Sequence, residues 1–296
     1  MSTDPRLVSL YSFKGGAGRT VCTANLVGML AKELNATPDR PLLLMDMDLD
    51  SAGLTIFLDQ FHTFKNSPWN AAKILTGELD LGIRRYYENF FSEGMVDVSA
   101  LVGADPGTVK FIGAEIIGRD GSVPIMGKAP ERMQDLITYC GEHDVSTIVI
   151  DSASGRQETA VLCHMLSDVI VYCCRLTHQF LSGTEQQLMS FIERCENERG
   201  SVPDIIILPM AVPAEAGVWE ERKRISMARI SGLSNLTVGD QTPVHIMDPG
   251  VGEVESFKWL ESVLAIKKSL ADDEKHALEA YAALAKQLKV AMDKHL

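Results

Sequence analysis

The sequence predicts an α/β fold, a mostly parallel sheet with helices on both faces. Three observations carry this. Short, continuous apolar runs recur at 7–13, 42–45, 146–150, 169–174 and 204–210. Segments with helical spacing separate them, as at 20–34, where Val21, Ala24, Leu26, Val27, Leu30, Ala31 and Leu34 recur. No linker or internal repeat divides the 296 residues, so a single domain is expected. Strands that are apolar on both sides, alternating with helices, need a sheet covered on both faces.

The elements follow in order. The 7–13 run feeds a glycine-rich turn and then the 20–34 helix. The turn-rich stretch NATPDRP at 35–41 ends that helix. Strand 42–45 comes next. Residues 59–128 are read as an insertion decorating one sheet edge, helical at 69–75 and 83–91 and a glycine-rich loop over 113–127. Beyond it the pattern is helix 129–143, strand 146–150, helix 157–166, strand 169–174, helix 179–199 and strand 204–210. A helix at 218–230, a short strand at 242–246 and helices at 256–270 and 273–295 complete the chain.

Composition excludes several classes. Hydrophobic residues at 46% and charged residues at 23% are globular values, not those of a disordered chain. The net charge of −12 disfavours general attraction to nucleic acid or anionic membranes. The apolar runs are far shorter than the ~20 residues of a membrane span. The N-terminus lacks the basic-then-apolar pattern of a secretory leader, so a cytoplasmic protein is expected. The six cysteines form no CxxC pair and no zinc spacing; buried, reduced thiols are expected.

The informative segment is Phe13-Lys14-Gly15-Gly16-Ala17-Gly18-Arg19-Thr20, between a strand and a helix. That context suits a phosphate-binding loop, where backbone N–H groups and the positive helix end surround an anion. The usual pattern is GxxxxGK[ST]; here Phe13 replaces the first Gly and Arg19 the Lys. Two acidic segments sit at strand ends. LLLMDMDLDSAGLT carries Asp46 and Asp48, and IVIDSASG carries Asp151. Ligands of open parallel sheets bind at such ends.

Together these segments resemble the ParA/MinD family of P-loop ATPases, whose deviant Walker A loop reads KGGxG[KR]T. The likeness covers 6–58 and 146–187 and points to a bacterial subgroup with Arg in the loop. It implies ATP (or ADP) and Mg²⁺ as ligands, and a homodimer formed on ATP binding that recruits or regulates a protein partner. Lys14 would reach the nucleotide phosphates of a partner subunit. Gly15, Gly16, Ala17, Gly18, Arg19, Thr20 and Val21 would surround the phosphates. Thr20, Asp46 and Asp151 would hold Mg²⁺, and Lys14, Asp46 and Asp48 would be the catalytic residues, the two aspartates beside the metal and the attacking water. Asp48 would position that water, with Asp46 as the alternative. Met210 or Asp248 would read the base. Two other readings stay open: a nucleotide-binding scaffold without turnover, and a P-loop phosphotransferase or ligase.

Arg19 shapes the expected rate. Lys is a compact point charge, whereas Arg is a bulkier planar fork that still binds phosphate. Nucleotide binding with slow hydrolysis is the expectation. Other features are read as structural. Arg222, Lys223, Arg224 and Arg229 form a basic cluster beside Glu220 and Glu221, a solvated helix face rather than a DNA contact. His178 is read as a loop histidine. The C-terminal helix, with Leu278, Tyr281, Leu284, Leu288 and Met292 on one side, is expected to pack on the sheet edge and not on a membrane. Trp259 is read as a core or interface anchor.

Overall fold

The computed structural model describes residues 4–59, 69–79, 90–114, 127–213, 220–221, 224, 226, 243–248, 250–259 and 261–294. Among the described residues, eight strands form one sheet in the order β3-β4-β2-β5-β1-β6-β7-β8. They are β1 (Arg6–Tyr11), β2 (Leu42–Met47), β3 (Val96–Asp97), β4 (Val109–Ile112), β5 (Thr147–Ser152), β6 (Val169–Arg175), β7 (Asp204–Met210) and β8 (Val244–Ile246). All pairings are parallel except β3 with β4.

Side-chain alternation divides the core. Leu42 and Leu44 of β2 face one side; Leu43 and Met45 face the other. On the first side lie α1 (Arg19–Glu33) and α7 (Asp272–Asp293), packed on each other. On the second side, α3 (Ala71–Thr76) and α4 (Ala129–Glu142) cover β2 and β5. The helices α5 (Glu158–Leu166) and α6 (His178–Glu198) cover β1, β6 and β7 there. The short helix α2 (Gly53–Asp59) follows β2. The strands are buried almost end to end, as a doubly covered sheet requires.

Several expectations change. Within 59–128, residues 96–112 supply two strands, and Val109, Phe111 and Ile112 are core residues. Four residues is too short a run to stand out by periodicity. Among the described residues, no α-helix occupies the span expected at 256–270; 3₁₀ turns lie at Glu255–Lys258 and Leu264–Ile266. Buried Asn25 of α1 explains the break. Its amide donates to the Ser262 carbonyl (3.1 Å), and its Oδ1 accepts from Leu264 N–H (2.7 Å). Those backbone groups are thus diverted from a helical ladder. Trp259 is 85% exposed, so it is no core anchor. α7 packs beside α1 over the sheet face rather than at an edge.

The helical stretch expected at 83–91 and the loop at 113–127 lie mostly outside the described residues. Of the basic cluster, Arg222, Lys223 and Arg229 lie outside them too; Arg224 is exposed and pairs with Glu221 at 3.1 Å. All six cysteines are buried and unpaired. Among the described residues, no helix is long and apolar enough to cross a membrane.

Candidate functional site

β1 lies between β5 and β6, with β2 on the far side of β5, so β1, β5 and β2 carry all three sequence segments side by side. After β1 the chain turns through residues 12–18 and enters α1. Gly16 and Gly18 have φ of 81° and 90°, a region costly for any residue with a Cβ. A Cβ on Gly15 or Gly16 would meet no atom within 4 Å. Internal packing therefore does not account for Gly15; it leaves bare backbone facing open space. Phe13 is seated elsewhere, its ring so close against Gly183 of α6 that a Cβ there would collide with it.

The two loop cations face apart. Lys14 is exposed, its ammonium 3.3 Å from the Gln179 side chain at the start of α6. Arg19 is 7% exposed and turned inward. Its Nη2 donates to Asp48 (2.8 Å) and its Nε to Asp151 (2.9 Å). Asp151, at the end of β5, also accepts from Thr23 (3.0 Å) and from Thr20 (2.9 Å). Burial pushes the Asp151 carboxyl up in pKa, while Arg19, Thr20 and Thr23 pull it down. The two carboxylates outweigh burial at Arg19 and hold it charged.

Asp46 is placed differently. It is fully buried, directly across from Asp151 in the β2–β5 register. One oxygen accepts from the Thr55 backbone and hydroxyl, both at 2.8 Å, and the other from Asp48 N–H at 3.1 Å. Burial, then the charge of Asp151, raises its pKa to about 7. Thr55 went unnoticed in the sequence; the signal available was its place in the DxDxxxxxxT run that opens α2.

A cavity of about 280 Å³ opens beside the loop. Gly16, Ala17, Gly18 and Val21 form one wall, Met210 of β7 another, and residues 251–254 with Phe257 and Lys258 a third. The 250–254 segment is held along the end of β7: Val251 N–H donates to Pro209 (2.8 Å) and Glu253 N–H to Val212 (2.7 Å). Asp248 is exposed and is not among the lining residues; His178 is exposed at the start of α6. The structure thus brings together the loop, Thr20, Arg19, Asp48 and Asp151, sets Met210 against Gly18, and turns Lys14 outward beside Gln179.

Neither a family model nor a curated protein matches this chain. Solved structures do. An aspartate-to-alanine variant of Cyanothece McdA, in its ATP complex, aligns with a TM-score of 0.65 at 13% identity, over 97% of each chain. MinD of Aquifex aeolicus, in complex with MinC, gives 0.63 at 16% identity over 96% of each. Cobyrinic acid a,c-diamide synthase of Mycobacterium smegmatis, with ADP and magnesium, gives 0.62 at 16% identity, over 99% of this chain and 97% of that one. At such identities the likeness concerns the fold, and it runs through nearly the whole chain. The fold of this chain is the ParA/MinD P-loop fold.

Proposed function

We propose that this chain is an ATP-binding, slowly hydrolysing ATPase whose ATP-bound form dimerises and recruits or regulates a partner protein. The observation that carries this is Arg19, a loop cation clamped between Asp48 and Asp151. It marks the spot where two strand-end carboxylates and the loop converge, and where positive charge is already favoured. McdA with ATP, and the diamide synthase with ADP and magnesium, are neighbours of the same fold.

The residues fit this ligand. Bare backbone at Gly15 and Gly16, with the start of α1, would bind the phosphates. Met210 and the 251–254 segment would border the base. Thr20 and Asp151 would hold Mg²⁺, which usually takes one or two carboxylates plus phosphate oxygens. Bound there, the metal supplies charge neutralisation for the phosphates. The water would be oriented by Asp48. Asp46 acts through it: bonded to Asp48 N–H and to Thr55, it is a positioning residue. Lys14, exposed beside Gln179, would reach a second subunit. Arg19 must leave at least one carboxylate before both can serve the ligand, which supports slow turnover.

Calorimetry with ATP and Mg²⁺, and light scattering of the same mixture, test this. Saturable heat and a doubled mass are expected, with Lys14→Ala keeping the heat and losing the mass change. A monomer in ATP and Mg²⁺ that Lys14→Ala leaves unaltered overturns the switch. The double pairing of Arg19 also favours a second reading, a nucleotide-binding scaffold without turnover. Single-turnover assays at saturating protein separate the two.

A further inference from the structure

A polyphosphate in the cavity beside the loop needs a cation, and the loop's own two do not border that cavity. Arg19 is turned inward onto Asp48 and Asp151, and Lys14 lies outward beside Gln179. Lys258 does border it, but its ammonium is held by Glu255 at 2.6 Å and Glu253 at 3.2 Å. Two carboxylates, Glu253 and Glu261, border it as well, on a chain of net charge −12. Negative charge brought there is opposed unless something offsets it.

Arg175 can offset it. It is the last residue of β6, and it borders the cavity together with Gly16, Ala17 and Gly18. Strand alternation puts it there. Tyr172 and Cys174 belong to the core beneath α6, whereas Cys173 belongs to the core beneath α1 and α7. Arg175 shares the face of Cys173. Its register partner on β7 is Met210, a member of that second core, whose terminal methyl would lie 3.1 Å from a Cβ on Gly18. The pairing of β6 with β7 thus sets an arginine beside the glycine turn, on the cavity side of the sheet.

Arg175 is exposed, and among the described residues its side chain makes no ion pair and no hydrogen bond. Its five N–H donors are unused. We propose that Arg175 is the phosphate-binding cation of this site, donating to the nucleotide phosphates within its own subunit. The proposal rests on the nucleotide reading above and assigns the charge which that reading leaves unsupplied inside the cavity. A guanidinium suits the task, because it stays charged and can meet two phosphate oxygens at once. The three cations then divide the work. Arg19 neutralises the strand-end carboxylates, Arg175 the phosphates, and Lys14 is left for the second subunit.

Calorimetric titration of the full chain with ADP tests this, in the parent and in Arg175→Lys, Arg175→Gln and Arg175→Glu. ADP is the probe because dimerisation is proposed for the ATP-bound form, so the heat reads a contact within one chain. Arg175→Gln should weaken ADP about tenfold and Arg175→Glu further, while Arg175→Lys should recover part of the loss. A merely structural role would not order the variants by charge. Thermal midpoints equal to the parent's are expected in all three, because the side chain is exposed. Unchanged affinity in Arg175→Gln, or equal affinities in the three variants, overturns the role of Arg175 and leaves the nucleotide reading standing. A parent chain that takes up neither ATP nor ADP overturns that reading, and this proposal with it.

Discussion

Lys14 and Arg19 belong to one loop yet face opposite ways, Lys14 outward beside Gln179 and Arg19 inward between Asp48 and Asp151. The outward charge is nearly uncoupled from the fold. The inward charge is part of it, because each of its partners is buried. The same loop therefore offers one cation to a neighbour and commits the other to its own sheet.

Removing Arg19 exposes what it neutralises. Arg19→Ala leaves Asp48 and Asp151 facing each other without a counter-charge. A loss of about 3–5 kcal/mol is expected, the usual result of breaking a buried pair on one side. Arg19→Lys restores a charge but not the two-pronged geometry, so it should recover part of the stability and raise single-turnover ATP cleavage. Urea unfolding and rapid-quench assays check both. Equal stability of Arg19→Ala and the parent, or inactivation by Arg19→Lys, contradicts this account.

Phe13 and Gly183 form a testable pair. A methyl at 183 would strike the Phe13 ring, so Gly183→Ala should cost about 1–3 kcal/mol by overpacking. Phe13→Ala in the same chain should relieve the clash. A double-mutant cycle should show a favourable coupling energy of about 1 kcal/mol or more. Strict additivity would mean that the ring is not seated on α6.

Asp46 sets a pH dependence. Its pKa rises from 3.8 to about 7 on folding, so the folded state holds an extra proton between those values. Stability contributed by this group is complete below the unfolded value and falls as pH rises towards 7. Asp46→Asn should flatten that part of the profile. Chemical denaturation at pH 4, 5, 6 and 7, compared between the two proteins, reads the difference in slope (about 1.4 kcal/mol per unit at most). Parallel profiles would show that Asp46 is ionised throughout.

Asn25 should matter out of proportion to its size. Asn25→Ala strands the buried Leu264 N–H and removes a donor from the half-buried Ser262 carbonyl. A cost of about 1–3 kcal/mol is expected, chiefly from the unpaired buried N–H. Faster amide exchange at Leu264 would accompany it. Exchange unchanged there would mean the 262–264 segment holds without α1.

Much of this was legible in the sequence because its signals are local. The KGGAGRT turn between an apolar strand and a helix, and acidic residues at the ends of β2 and β5, rest on neighbours in the chain. The runs of β6 and β7 were continuous enough to read nearly to the residue. What escaped was non-local. β4 is a strand because β2 offers it a hydrogen-bonding edge, and four residues alone do not announce that. The 256–270 helix was lost to Asn25, a residue more than two hundred positions earlier. On paper nothing separates the burial of Asp46 from that of Asp48. Only the position of Thr55 and the bend after β2 turn one carboxylate inward beneath the other.

The place of β1 in the sheet has a consequence for synthesis. Its two neighbours, β5 and β6, both lie well downstream of it in the chain, at 147–152 and 169–175. The loop and its strand therefore leave the ribosome before both pairing partners, which follow only with residues 147–175. A truncated product ending before β5 would carry the whole glycine turn but lack the strand that bears Asp151. It would present open strand edges of the kind that chaperones recognise and aggregates exploit.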